Sequence, residues 1–93
     1  MQDLDEQTNH LIKLLALADD EEFVFALLQD LLTTREIRDM ASRLHVAQLL
    51  NDGTSYSEIE KQTGVSATTI ARVSKSLSEG SGGYKKALQM LGD

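Results

Sequence analysis

The sequence predicts an all-α protein, and three observations carry that prediction. Helix-start signals recur along the chain as Thr33-x-x-Glu36, Ser55-x-x-Glu58 and Ser66. Apolar residues between these signals fall mostly at helical spacing, and no proline interrupts them.

The first helix is expected over Leu4 to Ala18, where Leu11, Ile12, Leu14, Leu15 and Leu17 supply the apolar positions. Asp19 to Glu22 is an acidic cluster that suits the electropositive start of a second helix over Phe23 to Leu32 better than it suits a divalent metal. Phe23, Val24, Phe25, Ala26, Leu27, Leu28, Leu31 and Leu32 point in nearly every direction around that helix, so it needs neighbours on all sides. The Thr33/Glu36 box opens a third helix that ends near Asn51, with Gly53 as its stop, and Ile37, Met40, Ala41, Leu44, Val46, Ala47, Leu49 and Leu50 form its wide apolar arc. The three helices together present more apolar surface than one 93-residue chain can cover, and an obligate homodimer with interleaved helices is the economical solution.

The most informative stretch is Ser55 to Leu77, which reads as two short helices joined at Gly64. Ser55 and Glu58 open a helix from about Tyr56 to Gln62, Gly64 accepts the positive φ of a sharp turn, and Ser66 caps a second helix that runs to Leu77 or Ser78. At 100° per residue, Ile70, Val73 and Leu77 share one side of the second helix and Thr68, Arg72 and Lys75 the other. Ile59 and Val65 complete a small apolar set between the two helices. The layout is that of a DNA-reading helix-turn-helix, in which Ser66, Ala67, Thr68 and Thr69 are small enough to let the helix N-terminus approach base edges. Glu79 to Gly83 is expected to be a flexible break before a last helix over 84–91, and lacks the Gly-Lys-Ser/Thr of a phosphate cradle. The chain is thus one domain over 1–93: a helical dimerisation scaffold over 1–53, a helix-turn-helix over 54–79 and the terminal helix.

Composition bounds the function. There is no cysteine, which excludes disulfides and thiol ligation. The longest unbroken apolar run, Phe23 to Leu28, is too short for a bilayer, and the acidic N-terminus carries no signal-peptide pattern, so the expected location is the cytoplasm with no membrane partner. His10 and His45 are the only histidines, with no metal-ligand pairing and no nucleophile elbow, so neither a catalytic site nor a metal site is expected. The net charge of -6 opposes a nucleic-acid partner, but it is unevenly spread. Residues 1–52 carry four basic against eleven acidic side chains, whereas residues 53–93 carry five basic against four acidic, and the reading helix has no acid before Glu79. An acidic helical protein-interaction module without specific DNA binding is the rival reading.

These residues resemble a known family. Leu31-Leu32-Thr33, Arg43, GTSYSEIEKQTG at Gly53 to Gly64 and TTIARVSKSL at Thr68 to Leu77 are similar, in order and spacing, to the Trp repressor superfamily, most of all to its YerC/YecD-type branch, over roughly residues 20 to 90. The resemblance implies a six-helix Trp repressor-like fold in an intertwined homodimer that binds double-stranded DNA. It places reading-helix contacts at Ala67, Thr68, Thr69 and Ala71 and phosphate-facing residues at Ser55, Tyr56 and Ser57, beside the Arg72 and Lys75 of the outward stripe. Ser57 and Glu60 replace basic residues of the family, which weakens the expected phosphate grip. The family's tryptophan lies between two arginines matching Arg43 and Arg72, with Ser76 and the carbonyl region ending at Thr33 completing the pocket. Val73 stands where the repressor has a glycine that leaves room for the ring. Its isopropyl group fills much of that slot, so the expectation is no cofactor, with tryptophan and other small aromatic co-ligands disfavoured and Arg43 pairing with Asp39 or a helix end.

Overall fold

The computed structural model describes residues 5–92, and all of its regular structure is helical: α1 (Glu6–Leu17), α2 (Glu21–Leu31), α3 (Thr34–Asn51), α4 (Tyr56–Thr63), α5 (Ala67–Glu79) and α6 (Gly83–Gly92). Leu4, expected to begin the first helix, lies outside the described residues. The other boundaries move by a residue or two, because the caps and not the apolar residues set them. Asp5 starts α1 by accepting from the Thr8 N–H at 2.7 Å, and Asp20 starts α2 by accepting from the Glu22 N–H at 3.1 Å. Asp20, Glu21 and Glu22 therefore belong to a helix start, as the acidic cluster suggests.

The two capping boxes differ. At Thr33 the box is reciprocal: the Glu36 N–H donates to Thr33 Oγ1 at 3.1 Å, and the Thr33 N–H donates to Glu36 Oε1 at 2.9 Å. At Ser55 only half of it forms. The Glu58 N–H donates to Ser55 Oγ at 3.2 Å, while the Glu58 carboxylate turns along the helix to accept from Gln62 Nε2 at 3.1 Å. A side chain four residues on competes for the carboxylate, which the motif alone does not reveal.

The chain divides into two compact units, one up to Ile37 and one from Arg38 onward. In the first, no side chain of α1 or α2 is buried. Leu17 is 79% exposed, Phe25 56% and Leu31 55%.

The second unit, the head, has a core of Val46 and Ala47 from α3, Ile59 from α4, and Ile70 and Val73 from α5. Leu49, Leu50, Val65, Tyr84 and Leu88 pack around it. Residues 38–53 of the expected scaffold thus also furnish part of the head's core, and α6 closes it through Tyr84 and Leu88. The expected break over Glu79–Gly83 narrows to residues 80–82. Helix α5 runs through Glu79, the Gly80 N–H donates to the Ser76 carbonyl at 2.9 Å, and α6 begins at Gly83. A β-carbon on Gly80 would collide with the Ser76 carbonyl, so glycine allows a close approach here.

Candidate nucleic-acid interface

The head positions two helix starts. Helix α4 begins at Ser55, whose hydroxyl caps it, and Tyr56 and Ser57 occupy its exposed first turn. It ends where Gly64 takes φ +73°, a left-handed conformation open to glycine at little cost, and the Gly64 N–H donates to the Glu60 carbonyl at 2.8 Å. Beyond its two chain neighbours, no atom lies within 4 Å of where a β-carbon would stand, so the backbone and not crowding selects glycine at this turn. Ser66 then caps α5, accepting from the Thr69 N–H at 3.3 Å, with Ser66 Oγ and Thr69 Oγ1 3.2 Å apart.

The two sides of α5 separate as the spacing predicts. Ile70 and Val73 are buried and Leu77 is half-buried. Ala67, Thr68, Ala71, Arg72 and Lys75 are exposed. Thr69 is half-buried against Ser66, so the hydroxyls of Ser55 and Ser66 and the side of Thr69 serve the helix starts, and the free outward surface is Ala67, Thr68, Ala71, Arg72 and Lys75. Two small residues beside a threonine and two cations give a helix face that can enter a groove and still offer a hydroxyl, a guanidinium and an ammonium to it. No acidic side chain stands on α5 before its last residue, Glu79. Ser57 and Glu60 are exposed on α4.

Within the head, the residues assigned to a ligand pocket line two hollows. Arg43 lines a cavity of about 280 Å³ with Asp39, Ser42, Val65, Ser66 and Thr69. Arg72 and Ser76 line a different hollow of about 380 Å³ with Lys75, Glu79 and Gly80. Thr33 belongs to the other unit, where it caps α3. Val73 is 2% exposed and packed into the head's core, so its isopropyl group occupies space that a glycine would leave open.

One residue of the turn has no counterpart among the residues singled out in the sequence. Thr63 is the last residue of α4, and its hydroxyl bonds on both sides of the turn. The only signal for it in the sequence is a threonine directly before the turn glycine.

A sequence profile of the Trp repressor protein family matches residues 6–92, which takes in every helix described above. The chain belongs to the Trp repressor family. It is 40% identical over 89 residues to the uncharacterized protein YerC of Bacillus subtilis (strain 168), covering 96% of this chain and 82% of YerC. The crystal structure of a TrpR-like protein from Eubacterium eligens ATCC 27750 matches with a TM-score of 0.88 at 30% identity, over 95% of this chain and 91% of that one. A Trp repressor candidate from Staphylococcus aureus matches with the same TM-score of 0.88 at 29% identity, over 96% and 89% of the two chains. The likeness to a YerC-type member of the family therefore extends from sequence to fold. The family is one of DNA-binding regulators and not of enzymes. None of the described helices is long and apolar enough to cross a membrane.

Proposed function

We propose that the chain is a sequence-specific DNA-binding transcriptional regulator, a cytoplasmic repressor, which reads double-stranded DNA as a homodimer and works without tryptophan or another aromatic co-ligand. The observation that carries this reading is the exposed α5 face of Ala67, Thr68, Ala71, Arg72 and Lys75, set opposite the buried Ile70 and Val73. In a helix-turn-helix of this type the second helix enters the major groove, and a two-fold dimer presents its pair to successive grooves about 34 Å apart. Thr68 and Arg72 then face base edges, while Lys75, Ser57 and the first turn of α4 face phosphates.

Two further features support the details. The exposed apolar side chains of α1 and α2 call for a second copy of the chain, because a helix pair that buries none of its own side chains gains little by itself. Val73 within the head's core leaves no glycine-sized slot beside α5, which supports a reader that needs no ring inserted there. With a net charge of -6, one head grips DNA weakly, and the affinity comes from two heads binding together.

The test is the double variant Arg72→Ala/Lys75→Ala, compared with wild type by fluorescence anisotropy on genomic fragments that the wild type selects. The lost Arg72 base contact is worth about 1–3 kcal/mol and the lost Lys75 charge weakens the phosphate grip further, so binding should fall at least tenfold while the helical circular dichroism and the dimer persist. A double variant that binds as tightly as wild type would move the DNA contact off this face. Failure of the wild type to select any DNA would bring the protein-interaction module forward instead.

A further inference from the structure

The turn between α4 and α5 is held by a side chain as well as by its glycine. Thr63 Oγ1 donates to the Ile59 carbonyl at 2.7 Å and accepts from the Val65 N–H at 3.1 Å. Both bonds are partly buried. A hydroxyl has one hydrogen to give, and here it goes back into α4 while a lone pair takes the amide beyond the turn.

Both ends of this bridge are anchored. Ile59 has a fully buried side chain, so its carbonyl is fixed by the head's core. Val65 packs against the same core, and the next residue, Ser66, caps α5 through the Thr69 N–H. The path from the core of α4 to the first turn of α5 therefore has a defined bond at Thr63, a left-handed glycine at Gly64, a bonded amide at Val65 and a cap at Ser66. Without the hydroxyl, the glycine would leave the turn free to pivot, and the Val65 N–H would lack its partner.

We propose that Thr63 is a positioning residue for DNA reading: its hydroxyl ties the end of α4 to the start of α5 and sets the angle at which the α5 face is presented. The proposal rests on the DNA-reading function above. It acts through backbone geometry, so Thr63 itself touches no DNA. Its loss should reduce specific binding without changing the number of phosphates contacted, and hence without changing the salt dependence.

The experiment compares full-length wild type, Thr63→Val, Thr63→Ser and Ser78→Ala. Valine keeps the shape and removes the hydroxyl, and serine restores it. Ser78 also bonds to its own helix, at the Ser74 carbonyl, but bridges no turn. Residual dipolar couplings of the free protein should show the orientation of α5 relative to α4 altered or averaged in Thr63→Val and unchanged in Thr63→Ser and Ser78→Ala. Affinity for the selected DNA should fall roughly tenfold in Thr63→Val, as expected if about 1.4 kcal/mol of the binding free energy goes into restoring the angle of α5, with the salt slope of wild type, and should stay within about twofold in the other two. Couplings identical in Thr63→Val and wild type would overturn the positioning role, whatever the DNA result. Shifted couplings in a protein that selects no DNA would uphold the geometry of the tie and refute its service to DNA reading. Should Thr63→Val fail to fold, amide exchange in wild type decides: protection of the Val65 N–H comparable to the helical amides supports the tie, and exchange at the rate of an open loop removes it.

Discussion

The arm up to Ile37 and the head from Arg38 are built from similar material, apolar side chains on short capped helices, yet they use it in opposite ways. The head closes five side chains from three helices into its own core. The arm, across α1 and α2, buries none. A region that carries its core can be understood from one chain, and its surface stripe is then free for another task. A region that exposes its apolar faces is intelligible only with whatever covers them, and for this chain we infer a second copy.

The largest effect should come from the arm. Leu17→Asp with Phe25→Asp changes two side chains that are 79% and 56% exposed in one chain, where substitution would ordinarily matter by less than about 0.5 kcal/mol. If a partner covers them, sedimentation will show monomers, and melting will fall by more than about 10 °C, as several lost kcal/mol imply for a domain of this size. An unchanged melting curve would dissolve the contrast between the two regions.

The head's core comes next. Ile59→Ala should cost about 2–5 kcal/mol in urea denaturation, since a fully buried isoleucine leaves a cavity. The same substitution at the half-exposed Ile12 of the arm would cost that much only within a dimer, and so sharpens the comparison in a single pair of variants.

A smaller effect concerns acid. Hydrogen bonds from the Thr8 N–H hold the Asp5 carboxyl below its ordinary value, and those from the Thr33 N–H do the same for Glu36. A depressed carboxylate stabilises the fold above its unfolded value, and that contribution disappears as the pH falls through the lower, folded value. Both groups are fully exposed, so the change is confined to helix starts. Amides at the first turns of α1 and α3 should lose exchange protection as the pH drops below about 4, while those of α4 and α5, capped by serine, should not.

Local chemistry explains what could be read in advance. Ser66 and the Thr33/Glu36 pair announce their helices because a cap involves residues three apart, and the α5 stripe follows from one helix's period. Three features were not legible. Glu58 bonds Gln62 in place of the Ser55 N–H, because two partners at hydrogen-bonding range compete and the motif shows only one. Tyr84 and Leu88 of α6 close the head's core through a tertiary contact that no local period encodes. Thr63 acts through two bonds whose importance depends on where the turn carries them.

The most direct test of the head as a DNA reader is selection of bound fragments from sheared genomic DNA by the purified protein, at low and near-physiological salt, with and without added tryptophan. The predicted result is a pseudo-palindromic site with half-sites about one helical turn apart, enriched at both salts and unaffected by tryptophan. Binding that is sequence-blind and vanishes at the higher salt would contradict it.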